Sequence, residues 1–292
     1  MSTIYRGRFA PSPTGALHAG SLVAAMASYL DARAHDGVWL VRIEDVDKPR
    51  DLPWAGEHIL RTLAALGLES DESVLWQHDR DEAYQPVLDQ LIAEGKAYGC
   101  ACSRRDIALV NERLGLPLTI YPGTCRDGTH GRPARAIRFL TNDEPLLWRD
   151  RYYGEQSQRV ESEVGDFVLR RADMLWAYQL AVVVDDAFQG VTDVVRGTDL
   201  LDNTARQIAL MKALGYPVPR YFHLPLVLND QGQKLSKQAG ARALNPDNLL
   251  GEMEAAWGHL GFERLGADNM AAFWSAAIPL WKAKCPPLIE AI

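Results

Sequence analysis

Hydrophobic and polar positions along the chain follow two periods, and their order predicts an alternation of strands and helices. Residues 4–9 predict a short strand, and Ala10-Pro-Ser-Pro-Thr-Gly15 predicts a loop, because two prolines, a glycine and two hydroxyls disfavour regular structure. Leu22, Val23, Met26, Tyr29, Leu30 and Arg33 then recur at helical spacing. Residues 38–43 form a continuous apolar run of strand length. Strand, helix and strand in some forty residues make a βαβ unit and hence a parallel sheet. The pattern is predicted to return, with strands at 178–184, 192–196 and 223–228 and a helix at 199–214. Between the two halves lies a Gly/Pro/Arg-rich stretch, 99–133. Beyond Lys237 the pattern is helical, punctuated by Pro246, Pro279, Pro286 and Pro287. There is no internal repeat and no low-complexity segment.

Composition narrows the class. The chain has 292 residues, 47% hydrophobic and 24% charged, which is globular usage with ample length for a core. Apolar runs are short, Ala181-Val-Val-Val184 among the longest, so no membrane span is expected. The first residues carry no apolar stretch of signal-peptide type, and a cytoplasmic protein is expected. Four cysteines, three of them between 100 and 125, do not make a disulfide framework. The net charge of −7 argues against a nonspecific nucleic-acid coat but hides an uneven distribution. Residues 51–102 hold ten acids and three bases, whereas 103–138 hold seven arginines and three acids. The change coincides with the cysteine cluster and suggests an inserted module beginning near residue 96.

Three segments carry chemistry. Gly15-Ala-Leu-His-Ala-Gly-Ser21 has the glycine spacing of a phosphate-binding P-loop, but no lysine follows Gly20. Its setting still suits an anion, since a glycine-rich loop opens a helix whose first N–H groups are unsatisfied. His18 is then either a helix cap or a phosphate donor. Lys234-Leu-Ser-Lys237-Gln238, after Asn229-Asp-Gln-Gly-Gln233, is a cationic arm suited to a polyanion. Cys100-Ala-Cys102 with Tyr121-Pro-Gly-Thr-Cys125 brings three thiols together in sequence, a spacing that leaves both zinc and free thiols open. Cys285 stands alone and reads as an ordinary buried thiol.

Taken together these segments resemble the class I aminoacyl-tRNA synthetases in their glutamyl/glutaminyl version. Phe9-Ala-Pro-Ser-Pro-Thr-Gly-Ala-Leu-His-Ala-Gly-Ser21 is similar to the "HIGH" region, and Lys234-Leu-Ser-Lys237 to the "KMSKS" loop. Arg42-Ile-Glu-Asp-Val-Asp47, with Arg50, resembles the acidic signature on the second strand. Val194-Val-Arg-Gly-Thr-Asp-Leu200 resembles the segment before the next helix. Two positions depart from the pattern: Ser21 replaces the second histidine, and Gln238 the terminal serine. Only about 55 residues follow the lysine loop, where glutamyl-tRNA synthetases carry an anticodon-binding region. The closest resemblance is therefore to the truncated branch that attaches glutamate to the queuosine base of tRNA(Asp).

The resemblance implies an α/β fold: a Rossmann-type parallel-sheet nucleotide-binding domain split by a zinc-bearing insertion, with a short helical C-terminal region. The expected boundaries are 1–95 and 175–240 for the two halves of the core, 96–174 for the insertion and 241–292 for the helical region. It implies activation of L-glutamate by ATP with Mg2+, His18 and Lys237 acting on the phosphates, Lys234 in support, and Gly20 and Ser21 beside the nucleotide. Arg8 and Arg196 would hold carboxylate, Tyr178 would donate a hydroxyl, and Glu44 would accept from the ammonium. Phe9, Ala10, Pro11 and Ser12 would line the same pocket. Asp45 and Asp47 have an ordinary reading as strand-end caps or ion-pair partners, preferred for Asp47. A structural Zn2+ would sit on Cys100, Cys102, Cys125 and Tyr121, with Asp127, His130 or water as alternatives to the tyrosine. The arginine-rich insert would face RNA. A monomer is expected. The competing functions are a minimal glutamyl-tRNA synthetase charging a tRNA 3′ end, and a non-catalytic glutamate- or RNA-binding paralogue.

Overall fold

The described residues of the computed structural model, 4–225 and 242–288, form two sheets. The strands are β1 (Arg6–Phe9), β2 (Val38–Ile43), β3 (Leu75–Trp76), β4 (Ala97–Cys100), β5 (Ala136–Phe139), β6 (Pro145–Asp150), β7 (Gly154–Arg159), β8 (Val168–Arg170), β9 (Asp193–Gly197) and β10 (Arg220–Leu224). The helices are α1 (Ala19–Ala34), α2 (Ala55–Ala65), α3 (Asp81–Ala93), α4 (Arg104–Leu114), α5 (Val160–Glu163), α6 (Tyr178–Phe188), α7 (Thr204–Leu214), α8 (Leu249–His259) and α9 (Met270–Lys284).

The larger sheet has the order β3-β2-β1-β9-β10-β6-β7. Its strands are parallel from β3 to β6, and β7 closes the edge as an antiparallel hairpin with β6. β1 and β9 lie side by side, so the two halves separated by the middle of the chain meet in one sheet. Both faces are covered, as a parallel sheet requires. Successive residues of β9 and β10 point to opposite faces: Val195 and Phe222 join one core with α1, α8 and α9, and Val194 and Tyr221 join another with α3, α6 and α7. A smaller antiparallel sheet, β4-β5-β8, carries the cysteine-bearing segment at its edge.

The C-terminal helices are keyed to the core through Asp31, which is fully buried on α1. Its carboxylate accepts from Tyr5 Oη at 2.6 Å, from Arg151 at 2.5 and 3.0 Å, and from Trp281 Nε1 at 3.1 Å. Cys285 is half-buried beside it, with Arg151 3.3 Å from its sulfur.

One predicted strand is corrected. Residues 178–184 belong to α6, not to a strand. An apolar run this short has no decisive period, and here it is a helix buried nearly all round, from Gln179 through Asp186. The predicted helix at 199–214 begins as a tighter 3-10 turn, Thr198–Asn203, before α7. The predicted strand at 223–228 is described as far as Leu224, and 226–228 lie outside the described residues.

Candidate active site

At the C-terminal ends of β1, β2 and β9, where ligands bind in open parallel sheets, a cavity of about 590 Å3 opens. Its walls include Arg8, Phe9, Ala10, Ser12, His18, Gly20, Ser21, Glu44, Tyr178 and Arg196. These are nearly all the expected substrate residues, brought together from four separate segments. Pro11 is not in the wall; its carbonyl instead accepts from the Glu44 backbone N–H at 3.0 Å and ties the loop after β1 to β2. Lys234 and Lys237 lie outside the described residues.

The floor is a buried charge network. Arg8 grips Asp186 through Nε at 3.1 Å and Nη2 at 3.3 Å, and its Nη1 has no partner among the described residues. Arg42, fully buried, donates to Glu44 Oε1 at 3.3 and 3.0 Å, to Asp186 at 2.7 Å and to Gln189 at 2.8 Å. Glu44 thus spends one oxygen on Arg42, and Oε2 has no hydrogen-bond partner among the described residues. Burial pushes the Glu44 carboxyl up, against the pull of Arg42 and Arg8. Burial also acts to raise Asp186, but Arg8 and Arg42 together hold it below the usual carboxylate range.

Arg196 is held from four sides. Nε donates to His223 Nε2 at 3.0 Å, Nη1 to Gln207 at 2.8 Å, and Nη2 to Thr204 at 2.9 Å and the Leu200 carbonyl at 3.3 Å. One of its five N–H groups, on Nη1, has no acceptor among the described residues. His223 Nδ1 lies 2.7 Å from Asp150, so the imidazole donates there and accepts from Arg196 on its other face. Burial lowers the affinity of His223 for a second proton, opposed by Asp150.

His18 and Ser21 form a reciprocal cap at the start of α1. Ser21 N–H donates to His18 Nδ1 at 3.3 Å, and Ser21 Oγ accepts from the His18 N–H at 2.9 Å and donates to the His18 carbonyl at 3.0 Å. His18 is the helix cap, one of its two expected readings, and it also lines the cavity. An imidazole accepting at Nδ1 carries its proton at Nε2. The Ser21 hydroxyl, expected to serve the nucleotide, is hydrogen-bonded to His18, and Ser21 lines the cavity.

Asp186, Gln207, His223 and Asp150 were not anticipated from sequence. A signal existed in Asp185-Asp186, two acids directly after an apolar run, because acids buried on a helix must be paired. Asp45 and Asp47 are ion-pair partners: Asp45 pairs with His78, and Asp47 with Arg50 and Arg171.

The three thiols also converge. The sulfurs of Cys100, Cys102 and Cys125 lie within 4.8 Å of one another, Cys102 and Cys125 at 3.5 Å. Tyr121 Oη accepts from the Cys100 thiol at 3.3 Å and from the Cys125 N–H at 3.0 Å. Tetrahedral zinc–sulfur geometry needs sulfurs roughly 3.8 Å apart, so this donor set could hold a metal ion. Neither Asp127 nor His130 joins the group. Tyr121 is set in place by a bridge to Gly165, where φ is +78° and an added Cβ would lie 2.3 Å from the Tyr121 carbonyl.

Comparisons with known proteins identify the family. Residues 5–252 match the family model described as tRNA synthetases class I (E and Q), catalytic domain. The glutamyl-Q tRNA(Asp) synthetase of Burkholderia cenocepacia is 53% identical over 98% of this chain and 99% of its own length. That of Leptothrix cholodnii is 55% identical over 97% of this chain and 98% of its own. A crystal structure of a glutamate tRNA ligase from Elizabethkingia meningosepticum, in complex with its amino acid, superposes with a TM-score of 0.72 at 29% identity. That match covers 82% of this chain and 53% of the ligase. Among the described residues no helix is long and apolar enough to cross a membrane. The chain belongs to the class I tRNA synthetases of the glutamate and glutamine type, within the family of glutamyl-Q tRNA(Asp) synthetases.

Proposed function

We propose that the protein activates L-glutamate with ATP and transfers the glutamyl group to the queuosine base of tRNA(Asp). The observation that carries this reading is the single cavity that sets Arg8, Glu44, Tyr178 and Arg196 beside the capped start of α1. Glutamate brings two carboxylates and one ammonium. Arg8 Nη1 and the remaining Arg196 N–H are suited to carboxylate, Tyr178 adds a hydroxyl, and Glu44 Oε2 is suited to the ammonium. The fixed network behind them keeps these groups in position before substrate arrives.

In the first step an α-carboxylate oxygen attacks the α-phosphorus of ATP and the bond to pyrophosphate breaks. Charge develops on phosphate oxygens, and His18, at the positive end of α1, would donate toward it. On sequence grounds Lys237 and Lys234 serve the β- and γ-phosphates. Mg2+ bound with ATP would supply further neutralisation of the triphosphate. In the second step a hydroxyl of the queuosine base attacks the acyl carbon and AMP leaves. The names of the full-length relatives support this acceptor. Cys100, Cys102, Cys125 and Tyr121 would hold a structural Zn2+, pinning a segment with little core of its own.

Glutamate-dependent exchange of pyrophosphate into ATP tests the first step. Exchange is expected without tRNA and is expected to fall severely in Lys237→Ala with the fold intact. Exchange absent even with tRNA would identify a non-catalytic binder, and normal exchange in Lys237→Ala would remove the loop from the chemistry.

A further inference from the structure

The seven arginines of the insert have different structural roles. Arg126 is committed to Asp166 at 2.7 Å and Glu161 at 2.5 Å. Arg138 is buried, donates to the Asp166 carbonyl at 2.6 Å and lies over the Tyr121 ring. Arg132 reaches Asp106 and Cys102. By contrast, Arg104 and Arg135 are exposed and have no side-chain hydrogen bond or ion pair among the described residues. Their backbones are nonetheless anchored. Arg135 N–H donates to the Cys100 carbonyl at 2.9 Å, and Arg104 is the first residue of α4, capped by Ser103 with Asp106.

Both side chains line a second cavity of about 940 Å3, between the start of α4, β5 and the turn after β8. Arg50, Arg171 and Asp47 belong to the walls of this cavity and of the substrate cavity, so the two adjoin. The acids in the second cavity, Asp47 and Asp173, are already paired with Arg50 and Arg171. Among the described residues the lining arginines without a carboxylate partner are Arg104, Arg135 and Arg138; Arg138 is buried and turned to a backbone carbonyl, which leaves Arg104 and Arg135 as the exposed, unpaired charges. An open, cationic recess adjoining the site of acyl transfer suits a phosphodiester backbone, because a base delivered to the first cavity brings its flanking phosphates within reach.

We propose that Arg104 and Arg135 bind RNA backbone phosphates beside the nucleotide whose base enters the substrate cavity. The inference rests on the reading of the protein as an RNA-acylating enzyme, and binding is measured apart from acylation so that the two can fail separately. A fluorescent anticodon stem-loop of tRNA(Asp) carrying queuosine is titrated by anisotropy at several salt concentrations against wild type, Arg104→Ala/Arg135→Ala and Arg113→Ala. Arg113 is on α4 but outside the cavity. The double variant is expected to weaken binding about tenfold or more and to flatten the slope of log Kd on log salt by about 1–2. Arg113→Ala should match wild type, and pyrophosphate exchange and the KM for ATP should be unchanged in all three. The proposal is overturned by wild-type binding in the double variant, by an equal loss in Arg113→Ala, or by a raised KM for ATP, which would assign the recess to the nucleotide. Absence of glutamyl transfer by a wild type that binds normally would instead count against the acylation reading alone.

Discussion

Arg8, Arg42, Glu44 and Asp186 share one buried network, so none of them can be changed as an isolated charge. Removing Asp186 leaves two guanidinium groups facing a single carboxylate in a desolvated site. Asp186→Ala is expected to destabilise the fold by about 3–5 kcal/mol, measured by urea unfolding, and a loss below about 1 kcal/mol would show that solvent compensates the arginines. Asp51 behaves in the opposite sense. Burial beside Asp45 and Asp47 pushes its carboxyl up to about 6, against Arg50, and neither oxygen has a hydrogen-bond partner among the described residues. The folded state therefore holds a proton that the unfolded chain releases, and this contribution to stability is lost as pH rises from about 4 through about 6. Asp51→Asn removes the penalty. Its Tm should exceed that of wild type by a margin that grows between pH 4 and pH 7, and a margin independent of pH would contradict the assignment.

At the scale of elements, the legible parts were those with a clean period or a diagnostic loop. The β1–loop–α1–β2 unit was readable because prolines and glycine punctuate it and α1 repeats its apolar positions at helical spacing. The misreading of α6 has a physical cause: Val182, Val183 and Val184 favour strands locally, but burial around the whole helix overrides that preference. The residues that line the cavity were legible from motif resemblance, whereas the groups that orient them were not. Asp150 lies 73 positions before His223, and no local pattern announces a contact made only by tertiary folding. The cysteine segment is an element with almost no core, and its order is expected to depend on its donor set. One equivalent of zinc should be measured per chain, and chelation should abolish transfer to tRNA while sparing much of the pyrophosphate exchange. Gly165→Ala tests the same element without touching a thiol. The added Cβ meets the Tyr121 backbone at 2.3 Å in a left-handed conformation, and a loss of more than about 1 kcal/mol with weakened zinc retention is expected. Unchanged stability and zinc content would show that the bridge to Tyr121 is dispensable.

For the whole molecule, the parallel sheet gathers residues from both halves of the chain into one cavity, and the cysteine-bearing segment adds an arginine-lined recess beside it. The net charge of −7 is an average over a surface whose positive part is local, so it is compatible with an RNA substrate. Activation and transfer are then separable: the core makes the adenylate, and the recess guides the nucleic acid to it. The central claim concerns the acceptor. Radiolabelled glutamate and ATP are supplied with an anticodon stem-loop of tRNA(Asp) that lacks any acceptor end, carrying either queuosine or guanosine at the modified position. Label is expected on the queuosine stem-loop and not on its guanosine counterpart. Label on neither stem-loop, with full-length tRNA accepting glutamate only through its 3′ hydroxyl, would contradict the account.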